Sequence, residues 1–120
     1  MEAEIQDLLI QLRSSDYRIY RDILYVIPWA NPQNEPHHAI SAGRLADALR
    51  NHGRDYNEFE VHEALENMRA ATPPVMQAAE TEGVFIPTEF GRRVIDAFHP
   101  EGHFKINQLK PFPKPVRRIA

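Results

Sequence analysis

Six histidines and seventeen carboxylates hold most of the reactive chemistry in this 120-residue chain. His99 and His103 stand four apart, the interval at which two ligands share a helix face and hold a metal ion. Pro100 and Gly102 lie between them and interrupt a regular helix, so the pair does not read as a metal site. His37 and His38 fall in a proline-rich stretch and read as plain loop residues. The chain has no cysteine, which excludes disulfides, thiolate metal ligands and a cysteine nucleophile. It shows no glycine-rich phosphate loop, no nucleophile motif and no HExxH. Asp16 and Asp22, like Glu63 and Glu66, are not visibly paired for acid–base work. The expectation is a protein that is not an enzyme, holds no metal and needs no cofactor.

Charge is distributed unevenly. The whole chain carries 14 basic and 17 acidic residues, a net charge of −3, which excludes a uniformly basic nucleic-acid coat. Between residues 41 and 54, Arg44, Arg50 and Arg54 outweigh Asp47. Between 55 and 71, Asp55, Glu58, Glu60, Glu63 and Glu66 face one base, Arg69. Residues 100–120 pair one acid, Glu101, with Lys105, Lys110, Lys114, Arg117 and Arg118. An acidic middle therefore precedes a basic end.

These groups need elements to position them. Ile5, Leu8, Leu9 and Leu12 keep the i, i+3, i+4, i+7 spacing of an amphipathic helix, and Tyr17, Tyr20, Ile23, Leu24 and Ile27 continue a helical stripe. The stretch is one bent helix or two, with a serine cap at Ser14 or Ser15, and Pro28 is expected to end it. Residues 30–38 have loop composition. A further helix starts at Ser41, with Ala42, Leu45, Ala48 and Leu49 inward and Gly53 beyond its end. The next runs from Asn57 to Ala70, with Asn57 and Glu60 spaced as a capping box and Val61, Ala64, Leu65 and Met68 as its apolar stripe. Val75–Ala78 and Val84–Pro87 read as a hairpin turning at Gly83. Thr88 caps a last helix with Gly91, Val94, Ile95 and Phe98 on one face, and Pro100 closes it.

The succession helix, helix, turn, helix, hairpin, helix resembles the winged helix-turn-helix superfamily. Ser41–Leu49 matches the scaffold helix, and Glu60–Met68 matches the helix in the recognition position. Val84–Arg92, an apolar strand running into Thr-Glu-Phe-Gly-Arg, is similar to the L-T-x-x-G pattern that follows winged-helix hairpins. The expected fold is mainly α with a small β-hairpin: a winged-helix domain over residues 15–99, an extra N-terminal amphipathic helix over 1–14 and an extended basic, proline-rich tail over 100–120. The expected core is Leu24, Ile27, Leu45, Leu49, Val61, Leu65, Met68, Phe85, Val94, Ile95 and Phe98.

Such a resemblance implies binding, with DNA, RNA or protein as partner. DNA-binding members place the third helix in the major groove and the wing on the backbone, where lysine and arginine supply much of the affinity. Here the third helix offers Glu58, His62, Glu63, Glu66 and Asn67, and the wing offers Glu80 and Glu82. Both carry the sign of a phosphate, so these residues are read first as a protein-interaction surface. The alternative is duplex DNA held by Arg44, Arg50, Arg54, Asn57, Arg69 and, in the tail, Lys114, Arg117 and Arg118. Tyr17, Tyr20, Tyr25 and Trp29 are expected to pack between the first helix and the last. The extra helix has an apolar face to bury, so Ile5, Leu8, Leu9, Leu12, Tyr17 and Tyr20 are a candidate homodimer seam. In the tail, Phe104–Phe112 is expected to lie extended in a groove of the domain or of a second subunit. The acidic start Met1-Glu2-Ala3-Glu4 is unlike a secretory signal. The longest apolar run, Ile23–Trp29, is shorter than the roughly 20 residues a bilayer needs. A cytoplasmic location with no membrane partner is expected.

Overall fold

The computed structural model describes residues 2–30 and 39–98, and only these are discussed structurally. Helix α1 spans Glu2–Gln11, a 3-10 turn follows at Ser15–Tyr17, and α2 spans Arg18–Ala30. The break falls at Ser14, whose hydroxyl accepts from the Asp16 N–H at 3.3 Å, so the first helical stretch is two rods. Pro28 does not end α2 as expected; it sits in the last turn, and the helix continues to Ala30. There its missing N–H removes one hydrogen bond without redirecting the chain.

The short strand β1 (Ile40–Ser41) leads into α3 (Ala42–Asn51), whose first turn is capped by Ser41 Oγ accepting from Arg44 N–H at 3.3 Å. Helix α4 (Glu58–Ala70) begins with a full capping box. The Asn57 side-chain oxygen accepts from Glu60 N–H at 2.8 Å, and the Glu60 carboxylate accepts from Asn57 N–H at 3.2 Å. Strands β2 (Met76–Ala78) and β3 (Val84–Pro87) form the hairpin, with Gly83 at φ 77° in its turn. The sheet has three antiparallel strands in the order β1-β3-β2, with Ile40 opposite Phe85 and Met76 opposite Pro87. At two residues, β1 is too short to show the alternation that marks a strand in sequence.

Helix α5 (Glu89–Phe98) is fastened by Thr88. The Thr88 hydroxyl donates to the Pro74 carbonyl at 2.6 Å and accepts from Gly91 N–H at 3.0 Å, while Thr88 N–H donates to the Val75 carbonyl at 3.0 Å. A Cβ on Gly91 would run into that same Val75 carbonyl. The Thr-x-x-Gly spacing noted in the sequence thus has a physical cause: one residue caps the helix and the other lets it approach the strand-bearing segment.

Helix α2 is central and packs against α3, α4 and α5. Ile23, Leu24 and Ile27 from α2 are buried with Leu45 and Leu49 from α3, Val61, Leu65 and Met68 from α4, Phe85 from β3, and Val94 and Ile95 from α5. Each such side chain contributes about 1.5–3 kcal/mol when removed from water. All the expected core residues within this set are buried; the Phe98 side chain lies outside the described residues. The fold is mainly helical with a small antiparallel sheet.

Candidate interaction surfaces

The exposed face of α4 follows from its own inward stripe. With Val61, Ala64, Leu65 and Met68 turned into the core, the helical period sends Phe59, Glu63 and Glu66 to the opposite side. Phe59 is 68% exposed, the most exposed large apolar side chain among the described residues, and Glu58, Glu60 and Glu63 on the same helix are exposed as well. The Phe59 ring was missed in the sequence because it lies off the core stripe between two glutamates. That off-stripe placement is itself the signal that could have found it.

Other α4 side chains are more constrained. His62 is half-buried, its ring 5.7 Å from that of Phe85 and its Nε2 3.9 Å from Glu66. Glu66 takes both Nε and Nη2 of Arg69, at 3.1 and 2.8 Å. Asn67 is exposed and donates to the Tyr20 hydroxyl at 2.9 Å, on the side of α4 next to α2. The Glu58 carboxylate lies over the first turn of α3, where a Cβ on Gly43 would stand 3.2 Å from Oε1. A carboxylate in that place is favoured by the positive end of α3, and it opposes any phosphate brought to the same end. The hairpin from Met76 to Pro87 carries Glu80 and Glu82 and no lysine or arginine, and both glutamates are exposed.

The proposed phosphate contacts fare unevenly. Arg54 is 6% exposed, with Nε 3.2 Å from Asp22 Oδ2, so it is a buried structural group and not a DNA contact. Arg50 pairs with Asp47 at 3.0 Å and Arg69 with Glu66, and the Asn57 oxygen is committed to its cap. Arg44 is exposed and makes no ion pair among the described residues. Lys114, Arg117 and Arg118 lie outside the described residues.

Asp22, which the sequence left unpaired, is the centre of a charge cluster. It is fully buried, accepts from the Tyr56 hydroxyl at 2.8 Å, and has Arg18 and Arg21 each at 4.0 Å besides Arg54. Burial raises its pKa above the ordinary 3.8, against the opposing pull of Tyr56 and the three guanidinium groups. Burial and the bond to Asp22 push the Tyr56 phenol well above its usual range. Burial also lowers the Arg54 pKa, with Asp22 acting the other way. No local pattern announces partners 32 and 34 positions away.

The extra helix finds its place within the domain. Ile5 and Leu12 are buried, Leu8 and Leu9 are half-buried against the core, and α1 packs on α5. Ile5 and Leu12 are therefore not a seam for a second copy in this fold; Tyr17, at 38% exposed, and half-buried Tyr20 remain at the surface. The aromatic residues divide. Tyr17 meets Tyr20 at 5.8 Å, whereas Trp29 stacks on Tyr25 at 5.9 Å and meets His52 at 6.4 Å, beside the end of α3 rather than α5.

Between α1, α2 and α4 runs a groove of about 280 Å³, floored by Leu12, Leu24 and Met68 and edged by Tyr17, Tyr20 and Asn67. It adjoins a second hollow of about 250 Å³ bordered by Glu4, Asp7, Thr72, Pro73 and Phe90, with Leu8, Gln11, Ala71 and Val75 common to both. Among the described residues no group of three or more histidines and carboxylates could hold a metal ion. No described helix is long and apolar enough to cross a membrane. His99 and His103 lie outside the described residues. Compared with known proteins, the chain matches no family model, no curated protein and no solved structure.

Proposed function

We propose that this chain is a non-enzymatic winged-helix module that binds a protein partner through the outer face of α4 and the hairpin tip. The winged-helix reading is supported by the order α2-β1-α3-α4-β2-β3-α5 with the short β1 paired to the second hairpin strand. The binding reading is carried by one observation: Phe59 stands exposed in the first turn of α4, with the exposed Glu63 one turn further on the same side. Aromatic residues are the commonest anchors of protein interfaces, and the excess of carboxylates on the same helix favours a partner with basic groups beside its apolar contact. Phosphate would meet the opposite environment. From residue 57 to 87 there are six acidic residues and one basic residue, Arg69, which is already paired.

The alternative reading, duplex DNA, draws on the exposed Arg44 and on the basic residues of the tail. Fluorescence anisotropy with a short labelled duplex at low salt separates the two. The interaction reading expects no saturable binding, or weak binding that vanishes when Lys114, Arg117 and Arg118 are replaced by glutamine. Duplex binding that survives those replacements and is lost in Arg44→Ala would favour the DNA reading.

A further inference from the structure

We infer that the groove between α1 and α4 is the docking site of this chain's own C-terminal segment, with Phe104 and Ile106 seated in it. The groove is apolar: Leu12, Leu24 and Met68, themselves almost fully buried, close its floor, and the more exposed Leu8, Tyr17 and Tyr20 line it. Its far end carries Glu4 and Asp7 on the rim and no lysine or arginine.

The residues that follow α5 match this surface in reach and charge. Helix α5 packs on α1, which forms one wall of the groove, and Phe90 of α5 borders its second hollow. The five residues from His99 to His103 can span up to about 17 Å when extended, and the ten residues of α1 rise about 15 Å. The link is therefore long enough to run beside α1 from either end. Phe104, Ile106, Leu109 and Phe112 supply apolar side chains, and Lys105 and Lys110 stand among them. In an extended chain Phe104 and Ile106 project to the same side, so the two apolar groups enter the groove together, and the net positive charge of the segment matches the acidic rim at the groove's far end. Pro111, Pro113 and Pro115 cannot continue a helix and cost an extended segment no internal hydrogen bond. A basic partner drawn from elsewhere would need the same chemistry without the advantage of being tethered. This site is separate from the Phe59 face of α4.

The absence of native cysteine allows a clean test by disulfide trapping in the full chain. Thr72, exposed at the groove edge, and Asn107 are replaced by cysteine, and the control pairs Asn107→Cys with Asp47→Cys on α3, which contributes nothing to the groove. Under mild oxidation the groove pair is expected to close within the chain at least tenfold faster than the control. In the otherwise native chain, Phe104→Ser with Ile106→Ser is expected to lower the Tm by several degrees. Equal closure rates for the two pairs, or an unchanged Tm, would overturn the assignment. Disulfide-linked dimers as the main product of the groove pair would also overturn it and give the groove to a second copy.

Discussion

The Tyr56 hydroxyl donates to Asp22 Oδ2 at 2.8 Å, joining the loop before α4 to the middle of α2 through a carboxylate fully removed from solvent. With Arg54 beside it, this contact fixes how α4 is presented. Removing the guanidinium leaves a buried carboxylate short of its nearest counter-charge. Arg54→Leu should therefore cost about 3–5 kcal/mol at neutral pH, read from urea denaturation.

The same cluster sets a pH dependence. Burial raises the Asp22 pKa above 3.8, so the folded chain takes up this proton more readily than the unfolded one. The stability linked to it is fully present below the ordinary carboxylate value and is lost as pH rises through the raised value. Arg54 holds the Asp22 pKa down, so its removal raises that pKa further. The deficit of Arg54→Leu should then shrink as pH is lowered through the Asp22 titration. A deficit that grows on acidification would contradict a further rise of the Asp22 pKa in the variant, and Tyr56→Phe, which removes the strongest of the interactions holding that pKa down, should show the same trend.

Thr88 and Gly91 should be intolerant of substitutions that look mild. Gly91→Ala pushes a methyl group into the Val75 carbonyl and should cost about 1–3 kcal/mol or more. Thr88→Ala removes the cap of α5 and leaves the Pro74 carbonyl without its donor, for about 1–2 kcal/mol. Thermal unfolding of both variants checks this; a Gly91→Ala Tm equal to wild type would mean that α5 does not approach Val75 this closely.

Charge on α4 should control whether duplex DNA is tolerated. Glu58→Lys with Glu63→Lys places two cations where the native chain has two exposed carboxylates. At low salt this double variant should gain duplex binding relative to wild type. The gain should fall with salt at a log–log slope of about −0.9 for each phosphate newly neutralised. No gain in anisotropy titrations would mean that this face does not meet DNA even with favourable charge.

Much of the architecture was legible because it rests on local patterns. The helix start at Ser41, the cap at Asn57, the turn at Gly83 and the stripe through Val61, Leu65 and Met68 are each written within a few residues of one another. Pro28 misled because a proline in the last turn of a helix resembles one that ends it. The pairing of Ile40 with Phe85 went unseen because it joins segments far apart through a strand of two residues. Arg54 was misread for a related reason. Its partner lies 32 positions away on α2, so charge and predicted loop placement alone made it look exposed. On α4 the acidic character was plain from composition, but the aromatic group in its first turn emerged only when exposure placed Phe59 outside the core.

Phe59 and Ile10 are both exposed large apolar residues, at 68% and 60%, one on α4 and the other on α1. Affinity capture from a lysate, quantified for wild type, Phe59→Ala and Ile10→Ala, therefore isolates the central claim from a general loss of surface hydrophobicity. All three chains should remain folded, because neither side chain is buried. The α4 interface predicts a set of proteins recovered by wild type and Ile10→Ala and depleted at least tenfold by Phe59→Ala, insensitive to nuclease treatment. Recovery unchanged by Phe59→Ala, or abolished by nuclease, would contradict it.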